Sequence, residues 1–465
     1  MRLVKAMPED AKKLASNVVQ MKKNEPEWIF YDENGNRKVS ATKLGQEIIK
    51  ENPMLRLDTL SQGARFDKAT GTWRLDKLSE FLDTIITEKL ESVGKWSQGN
   101  LGQVKHYVFI KVYHPEMIES PFEHTDPNLI TFANGTYNLA TDTLQPHRPE
   151  DYILQNHPYD LKMKSGKDLK TVDWLAHLTG DPISANFLME FIGYCFYHRY
   201  SPFQALIILQ GTGQNGKTTF IEFVKQILDK RNVSNVSLQD LANKDNRFTG
   251  SQLYQKEVNM FADLDDSFLK TTGQIKALTG DDTIFAEFKG KDGFSFMNFA
   301  KLIFSANKLP KFSDFTSGFI RRLYVVPFPE KIDNNFKKEF DLNQIYNEIP
   351  AFSYQCLRAF KRAIDRDSLS KSPSMIAAKE QWLKDSDNIA RFIEDRCRIE
   401  SDTNGGDSSR NIYKAYQDYC WEENIKPFSQ PEFTRRLEAQ GIPRKKVQFN
   451  NTRIWRYLHL FVENS

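Results

Sequence analysis

At 465 residues, with 40% hydrophobic and 12% aromatic side chains, the chain is long enough for about two to four domains with real cores, which excludes a disordered or low-complexity protein. A formal net charge of +3 is too small for bulk attraction to a polyanion, so any nucleic-acid contact has to come from local basic patches. Cys195, Cys356, Cys397 and Cys420 stand far apart without a C-x-x-C pair, which argues against a zinc site or disulfide framework and fits a reducing cytoplasm; no apolar run reaches the length of a membrane span and the N-terminus lacks a signal-peptide core.

Residues 1 to about 50 set Leu, Val and Ile at helical spacing among Lys and Glu, interrupted by Asp32-Glu33-Asn34-Gly35-Asn36, a turn between short strands. Residues 64–67 and 72–75 flank Thr70-Gly71 as a hairpin, and the spacing predicts a helix over 75 to about 90. Trp73 is expected in the core, where large aromatics mostly lie. Residues 129–139 alternate around Asn134-Gly135, a second hairpin. His124, Asp126 and His147 have no second carboxylate cluster beside them, so they read as surface or satisfied side chains, and the same lack argues against a primase-type two-metal centre.

A helical block opens at Asp173, breaks at Gly180-Asp181-Pro182 and ends near His198. An apolar run, 205–209, then passes through Gln210 into Gly211-Thr212-Gly213-Gln214-Asn215-Gly216-Lys217-Thr218-Thr219 and an amphipathic segment. Strand, glycine-rich loop and helix in this order fit G-x-x-x-x-G-K-[ST], whose amides cradle phosphates at a helix N-terminus; Lys217 would reach the β- and γ-phosphates of ATP and Thr218 would ligate Mg²⁺. Residues 233–238 read as a second strand. The apolar run 257–262 ends in Asp263-Leu264-Asp265-Asp266; Asp263 is the first choice for the metal, with Asp265 or Asp266 polarising water, although acids also favour the start of a helix such as one beginning at Ser267. Residues 284–296 form a hairpin whose tip carries Lys289 and Lys291, able to touch phosphates or to blunt a sheet edge. Residues 301–306 form a strand ending at Asn307, whose amide can bond the γ-phosphate or the attacking water. Arg321-Arg322 precede a last strand, 323–328; an arginine there can stabilise transition-state charge across a subunit boundary.

Taken together, phosphate loop, acid-ended strand, basic hairpin, Asn-ended strand and Arg-Arg resemble a superfamily 3 helicase, the helicase half of phage and plasmid primase-helicases related to the poxvirus uncoating factor. The resemblance covers about 132–328, with Asn134-Gly135-Thr136-Tyr137 similar to the family's upstream domain. It implies an AAA+-like α/β P-loop NTPase core, with Asp263 in the acidic position, Asn307 as sensor, Lys289 and Lys291 on a DNA-contacting hairpin, and Arg321 or Arg322 as the finger. Many relatives carry Glu or two adjacent acids where Leu264 here separates Asp263 from Asp265. Relatives also often carry a primase module ahead of this region; the chain begins too late to hold one, so a separate primase or initiator is an expected partner.

Beyond 371, a linker leads to a helix holding Trp382, another from Asp385 to beyond Ile393, a loop at 403–407, and two further helices, 411–421 and 429–437, before alternating residues 447–460. Helix, helix and basic hairpin read as a winged helix, with Arg435, Arg436, Arg444, Lys445, Lys446 and Arg453 suited to duplex phosphates. The expected organisation is an N-terminal α+β domain over 1–170, an ATPase over 171–370 and a winged helix over 371–465. The expected activity is that of an ATP-dependent replicative DNA helicase of a mobile element, a hexameric ring on one strand. Two readings stand beside it: an origin-binding initiator or loader that remodels DNA without processive unwinding, and a P-loop kinase for which neither basic patch would serve.

Overall fold

The computed structural model describes residues 25–57, 63–117, 119–164, 169–243, 247–269, 271–290, 292–312, 314–400, 405–423, 425–449 and 452–463. The chain divides between Pro158 and Tyr159 into two compact units.

In the first unit, β1 (Ile29–Tyr31) and β2 (Arg37–Val39) pair antiparallel. The Asp32 carboxylate closes their turn by accepting from the amides of Asn34 and Asn36 at 3.1 and 2.8 Å. Helix α1 (Ala41–Glu51) starts where the Ser40 hydroxyl accepts from the Lys43 amide, satisfying one of the orphan donors of a first turn. β3 (Met54–Leu55), β4 (Ala64–Asp67) and β5 (Thr72–Leu75) form a sheet, and α2 (Leu78–Ser92) follows. The expected helix start at 75 falls three residues early, because Leu75 is paired with Ala64 as the last residue of β5. With α3 (Gln98–Lys111), these helices enclose Leu44, Ile48, Leu82, Ile86, Val104 and Val108. Trp73 is buried, stacked on Tyr152 at 5.7 Å with its indole donating to Pro149 O. β6 (Leu129–Phe132), β7 (Gly135–Asn138) and β8 (Thr143–Gln145) complete the unit. His124 pairs with Glu119, and His147 Nδ1 meets the Thr136 hydroxyl at 3.2 Å. No metal-ligating cluster occurs among the described residues.

The second unit opens with α4 (Lys170–Thr179) and α5 (Pro182–Cys195). Gly180 ends the first, and Asp181, accepting from the Ser184 amide, starts the second with Pro182 in its first turn, where the missing N–H costs nothing. A five-stranded sheet follows: β9 (Leu206–Gln210), then α6 (Lys217–Leu228), β10 (Val233–Ser234), β11 (Val258–Phe261), the hairpin β12 (Thr283–Glu287) and β13 (Gly293–Met297), β14 (Lys301–Ala306) and β15 (Leu323–Pro327). The sheet runs β10-β11-β14-β9-β15 with every pair parallel. Its three central strands, β11, β14 and β9, are mostly apolar and buried, as in a sheet covered on both faces. The strand expected over 233–238 is only two residues long, since Ser237 caps a short helix, Leu238–Ala242. The helix expected from Ser267 begins instead at Gly273. Because β9 lies between β14 and β15, the sheet has a switch point at β9, one strand in from the β15 edge, and ligands of open α/β sheets bind beyond the carboxyl ends at such a point.

Beyond the sheet, α7 (Ile349–Asp365) packs along α5. α8 (Pro373–Ser386) is pinned to the sheet domain by buried Trp382, whose indole donates to Pro310 O at 2.8 Å and whose ring meets Phe312 edge-on. α9 (Asn388–Arg396), β16 (Cys397–Ile399), α10 (Ser409–Glu422), α11 (Gln430–Ala439), the hairpin β17 (Arg444–Phe449) and β18 (Thr452–Tyr457), and β19 (Leu460–Val462) follow. Phe392, Tyr416, Phe433, Leu437 and Tyr457 form their core. No helix among the described residues is long and apolar enough to cross a membrane.

At the amino edge of the sheet, Lys301 is fully buried. Its ammonium donates to Tyr197 O and Phe299 O at 2.6 and 2.8 Å and lies 4.3 Å from the Tyr194 ring centre. Burial pushes its pKa down to about 7 from 10.5. Above pH 7 the folded chain has released this proton while the unfolded chain still holds it, so stability rises with pH. The rise should end near pH 9.0, the ordinary cysteine value, since burial raises Cys195, Cys356, Cys397 and Cys420 and the four thiols together offset the lysines there. Urea midpoints should therefore increase between pH 7 and pH 9. Lys301→Met should flatten most of that slope, leaving the smaller contribution of Lys379, which burial lowers to about 8. An unchanged slope in the variant would show that Lys301 is not the titrating group.

Candidate nucleotide site

The loop between β9 and α6 turns on Gly213 and Gly216, at φ 105° and 83°, a region other residues enter only with strain. A Cβ on Gly216 would also come within 2.7 Å of the side-chain ends of Leu178 and Ile332, which would have to shift, in addition to the strain of that φ. α6 begins at once with Lys217, which points its first-turn amides and its positive end into the loop. The segment after β15 braces this turn: Phe328 N donates to Gln210 O at 2.7 Å, Asn215 Nδ2 to Phe328 O at 2.9 Å, and Ile332 N to Gln214 O at 2.8 Å. Thr212, Gln214 and Thr218 are exposed, and Gly211, Gly213 and Thr219 are half-buried.

Lys217 is the centre of the arrangement. It is buried, and its Nζ donates to Gly211 O at 2.7 Å, Asn215 Oδ1 at 3.0 Å and Asn307 Oδ1 at 3.3 Å. Burial pushes its pKa down, and the charge of Asp263 works in the opposite sense. Its hydrogen-bond acceptors are thus uncharged, while its charge complement stands across the sheet edge. An anion at the head of α6 would meet an ammonium, a helix N-terminus and backbone amides together. Polyphosphate fits these residues, and the exposed hydroxyl of Thr218 with the carboxylate of Asp263 fits a hard divalent cation.

Asp263 lies two residues beyond β11, at φ 65°. Its amide donates to Ser305 Oγ at 3.3 Å and the next amide, Leu264 N, to Ser305 O at 2.8 Å. With Leu264 buried below, the carboxylate is left on the surface. Asp265 is engaged locally: its carboxylate accepts from Ser267 N at 2.8 Å, and its carbonyl accepts from Gln239 Nε2. Asp266, not Asp265, joins Asn307, Lys308, Asp385 and Arg391 around a cavity of about 450 Å³ between the sheet edge and α8. Ser305 escaped attention in the sequence, and Asn215, expected among the nucleotide-binding loop residues, carries no sign there that its side chain braces the loop. Asn215 sits at an unspecified position of the loop pattern, and a serine inside an apolar strand carries no signal of what it will hook.

Arg321 and Arg322 lie at the opposite end of β9 from the loop. Arg322 O accepts from Leu206 N at the beginning of β9, so the five residues of that strand, about 16 Å, separate them from the loop of their own chain. Arg322 is buried and donates to Thr279 Oγ1 at 3.0 Å and to Gly318 O; burial, then Arg321, lowers its pKa. Arg321 is exposed and donates to Gln204 Oε1.

Lys289 is exposed at the tip of the β12–β13 hairpin. Beside it Phe288 stacks on Phe294 at 4.9 Å, and Tyr254 meets both rings edge-on. Lys291 lies outside the described residues. On α11, Glu432 accepts from both Arg435 and Arg436, which hold its pKa down to about 2. Arg436 is turned inward, its guanidinium 3.9 Å from the Phe428 ring centre and 4.8 Å from that of Phe315, whereas Arg435 is exposed. Arg444 bonds Glu438 at 3.2 Å, and Lys445, Lys446 and Arg453 are exposed on the terminal hairpin.

Residues 116–193 match the family described as D5 N terminal like, and residues 209–322 match a family of unknown function, DUF5906. The chain is 27% identical over 334 residues to "Putative helicase 184R" of Invertebrate iridescent virus 6, covering 63% of this chain and 34% of that protein. It is 25% identical over 274 residues to "Putative helicase L207/L206" of Acanthamoeba polyphaga mimivirus, covering 57% and 28%. The chain thus spans about a third of the length of these curated relatives. Among solved structures, the apo C-terminal region of NrS-1 superposes with a TM-score of 0.49 at 14% identity, over 90% of this chain and 98% of that one.

Proposed function

We propose that the chain is an ATP-dependent DNA helicase of a mobile element, built on an AAA+-like P-loop core of superfamily 3 type with a C-terminal winged helix. The observation that carries the reading is the 3.3 Å contact between Lys217 Nζ and Asn307 Oδ1, with Asp263 bearing on the same ammonium, from three strands adjacent in the sheet. The relatives named as helicases support the same reading.

In this mechanism the loop amides and Lys217 hold the β- and γ-phosphates of ATP. Mg²⁺, held by Thr218 and Asp263, would neutralise charge on the phosphate oxygens. Asn307 orients the attacking water or the γ-phosphate, and a carboxylate at the edge, Asp263 or Asp266, polarises that water. Arg321 and its own phosphate loop lie at opposite ends of β9, so a neighbouring copy supplies the arginine, and a heterologous contact of this kind forms a ring when its rotation closes. A hexamer around one DNA strand is the arrangement we infer. Purified protein should hydrolyse ATP faster with single-stranded DNA present and displace a strand from a fork. Hydrolysis without displacement would favour an initiator or loader, and no hydrolysis at all would remove the reading.

Lys289→Ala should lower strand displacement by roughly tenfold, the effect of losing one or two phosphate contacts. ATPase without DNA and blunt-duplex affinity should be retained. Normal displacement by this variant would make the hairpin an ordinary edge ribbon.

A further inference from the structure

The terminal hairpin carries a feature that phosphate binding does not require. Directly cross-strand partners share one face of an antiparallel pair, and the register sets Lys446 opposite Trp455 and Gln448 opposite Arg453. Trp455 is 43% exposed, unusual for the largest apolar side chain. The Arg444 guanidinium lies 4.6 Å from its ring centre and Lys446 Nζ 5.9 Å. An indole on an open face beside two cations, Arg444 and Lys446, pairs the two elements by which proteins hold unpaired nucleic acid: charge for the backbone and a ring on which a base can stack. Bases inside a duplex are already stacked, so such a ring is useful only on unpaired bases, which a protein that also holds duplex phosphates meets where a strand leaves the duplex.

We propose that the β17–β18 hairpin binds DNA at a single-strand/duplex junction, with Trp455 stacking on the first unpaired base while Lys446 and Arg453 hold the flanking phosphates. This rests on the reading of the hairpin as a DNA contact and adds the kind of DNA it selects. The charge complementarity of the face favours a polyanion over an apolar partner. Apart from its cation contacts, Trp455 lies outside the core that Tyr457 enters two residues later, so its replacement should leave the fold standing.

The test uses the full chain and three DNAs: a blunt duplex, a single strand, and a fork with 2-aminopurine as its first unpaired base. Trp455→Ala should weaken fork binding about tenfold, the order of one lost base stack, with blunt-duplex affinity unchanged. Trp455→Phe should recover most of the loss. Wild-type protein should quench 2-aminopurine and the alanine variant should not. Equal weakening for fork and blunt duplex, or quenching unaltered in the alanine variant, would overturn the junction proposal. Lys446→Glu separates this from failure of the underlying reading: if it leaves binding of all three DNAs unchanged, the hairpin is not a DNA contact. Should the alanine variant lose its folded circular dichroism, Trp455→Phe and wild-type quenching decide alone, and a wild type that leaves 2-aminopurine bright overturns the proposal.

Discussion

Lys217→Ala is expected to abolish ATP turnover while leaving the protein folded. A single donor aimed at developing charge in a dry site is worth about 10²- to 10³-fold in rate, and Lys217 also holds the ground-state phosphates, so turnover should fall at least that far. The fold should tolerate the change because the ammonium is a desolvated cation whose acceptors are neutral. Its removal leaves Asn215 still bonded to Phe328 O, which keeps the loop braced. Steady-state phosphate release and thermal melting read the two halves of this expectation. A folded variant with normal ATPase would dispose of the nucleotide site altogether.

The paired arginines should separate cleanly. Arg321→Ala is expected to cost about 10³-fold or more in assembled ATPase, the scale of an arginine finger, with little change in melting. Arg322→Ala should instead lower stability, because it leaves a hole at the start of β15 and removes a charged donor from buried Thr279 Oγ1, whose hydroxyl keeps its own bond to Ile275 O; a hydrogen bond to a charged group contributes about 1.5–3 kcal/mol. Mixing the inactive Arg321→Ala protein with the inactive Lys217→Ala protein should restore some ATPase, since some mixed contacts hold both intact halves. No recovery in demonstrably mixed oligomers would place the completing arginine within one subunit, against the opposite-end geometry.

The sequence made the elements at the carboxyl ends of β9 and β14 legible because their signals are local. A glycine-rich loop between an apolar strand and a helix places Lys217, and a strand ending in a polar residue places Asn307. The division among the acids was not legible, since it depends on Ser305, on the neighbouring strand, pulling the chain at Asp263 into a left-handed turn. Nor could adjacent arginines be told apart: burial of Arg322 against Thr279 is a contact 43 residues away in sequence. Lys301 carried no warning either, because a lysine at the head of an apolar strand ordinarily reaches water. Trp455 and the basic residues of the terminal hairpin were visible as types, but only the strand register puts the ring and the cations on one face.

The short segment after Asn307 has a mechanical meaning. Two residues separate Asn307 from Pro310, whose carbonyl is tied to the Trp382 indole on α8. Proline cannot relax its φ, and breaking that buried bond costs about 1–3 kcal/mol. The carboxamide that meets Lys217 and helix α8 are therefore joined through one short, proline-stiffened segment.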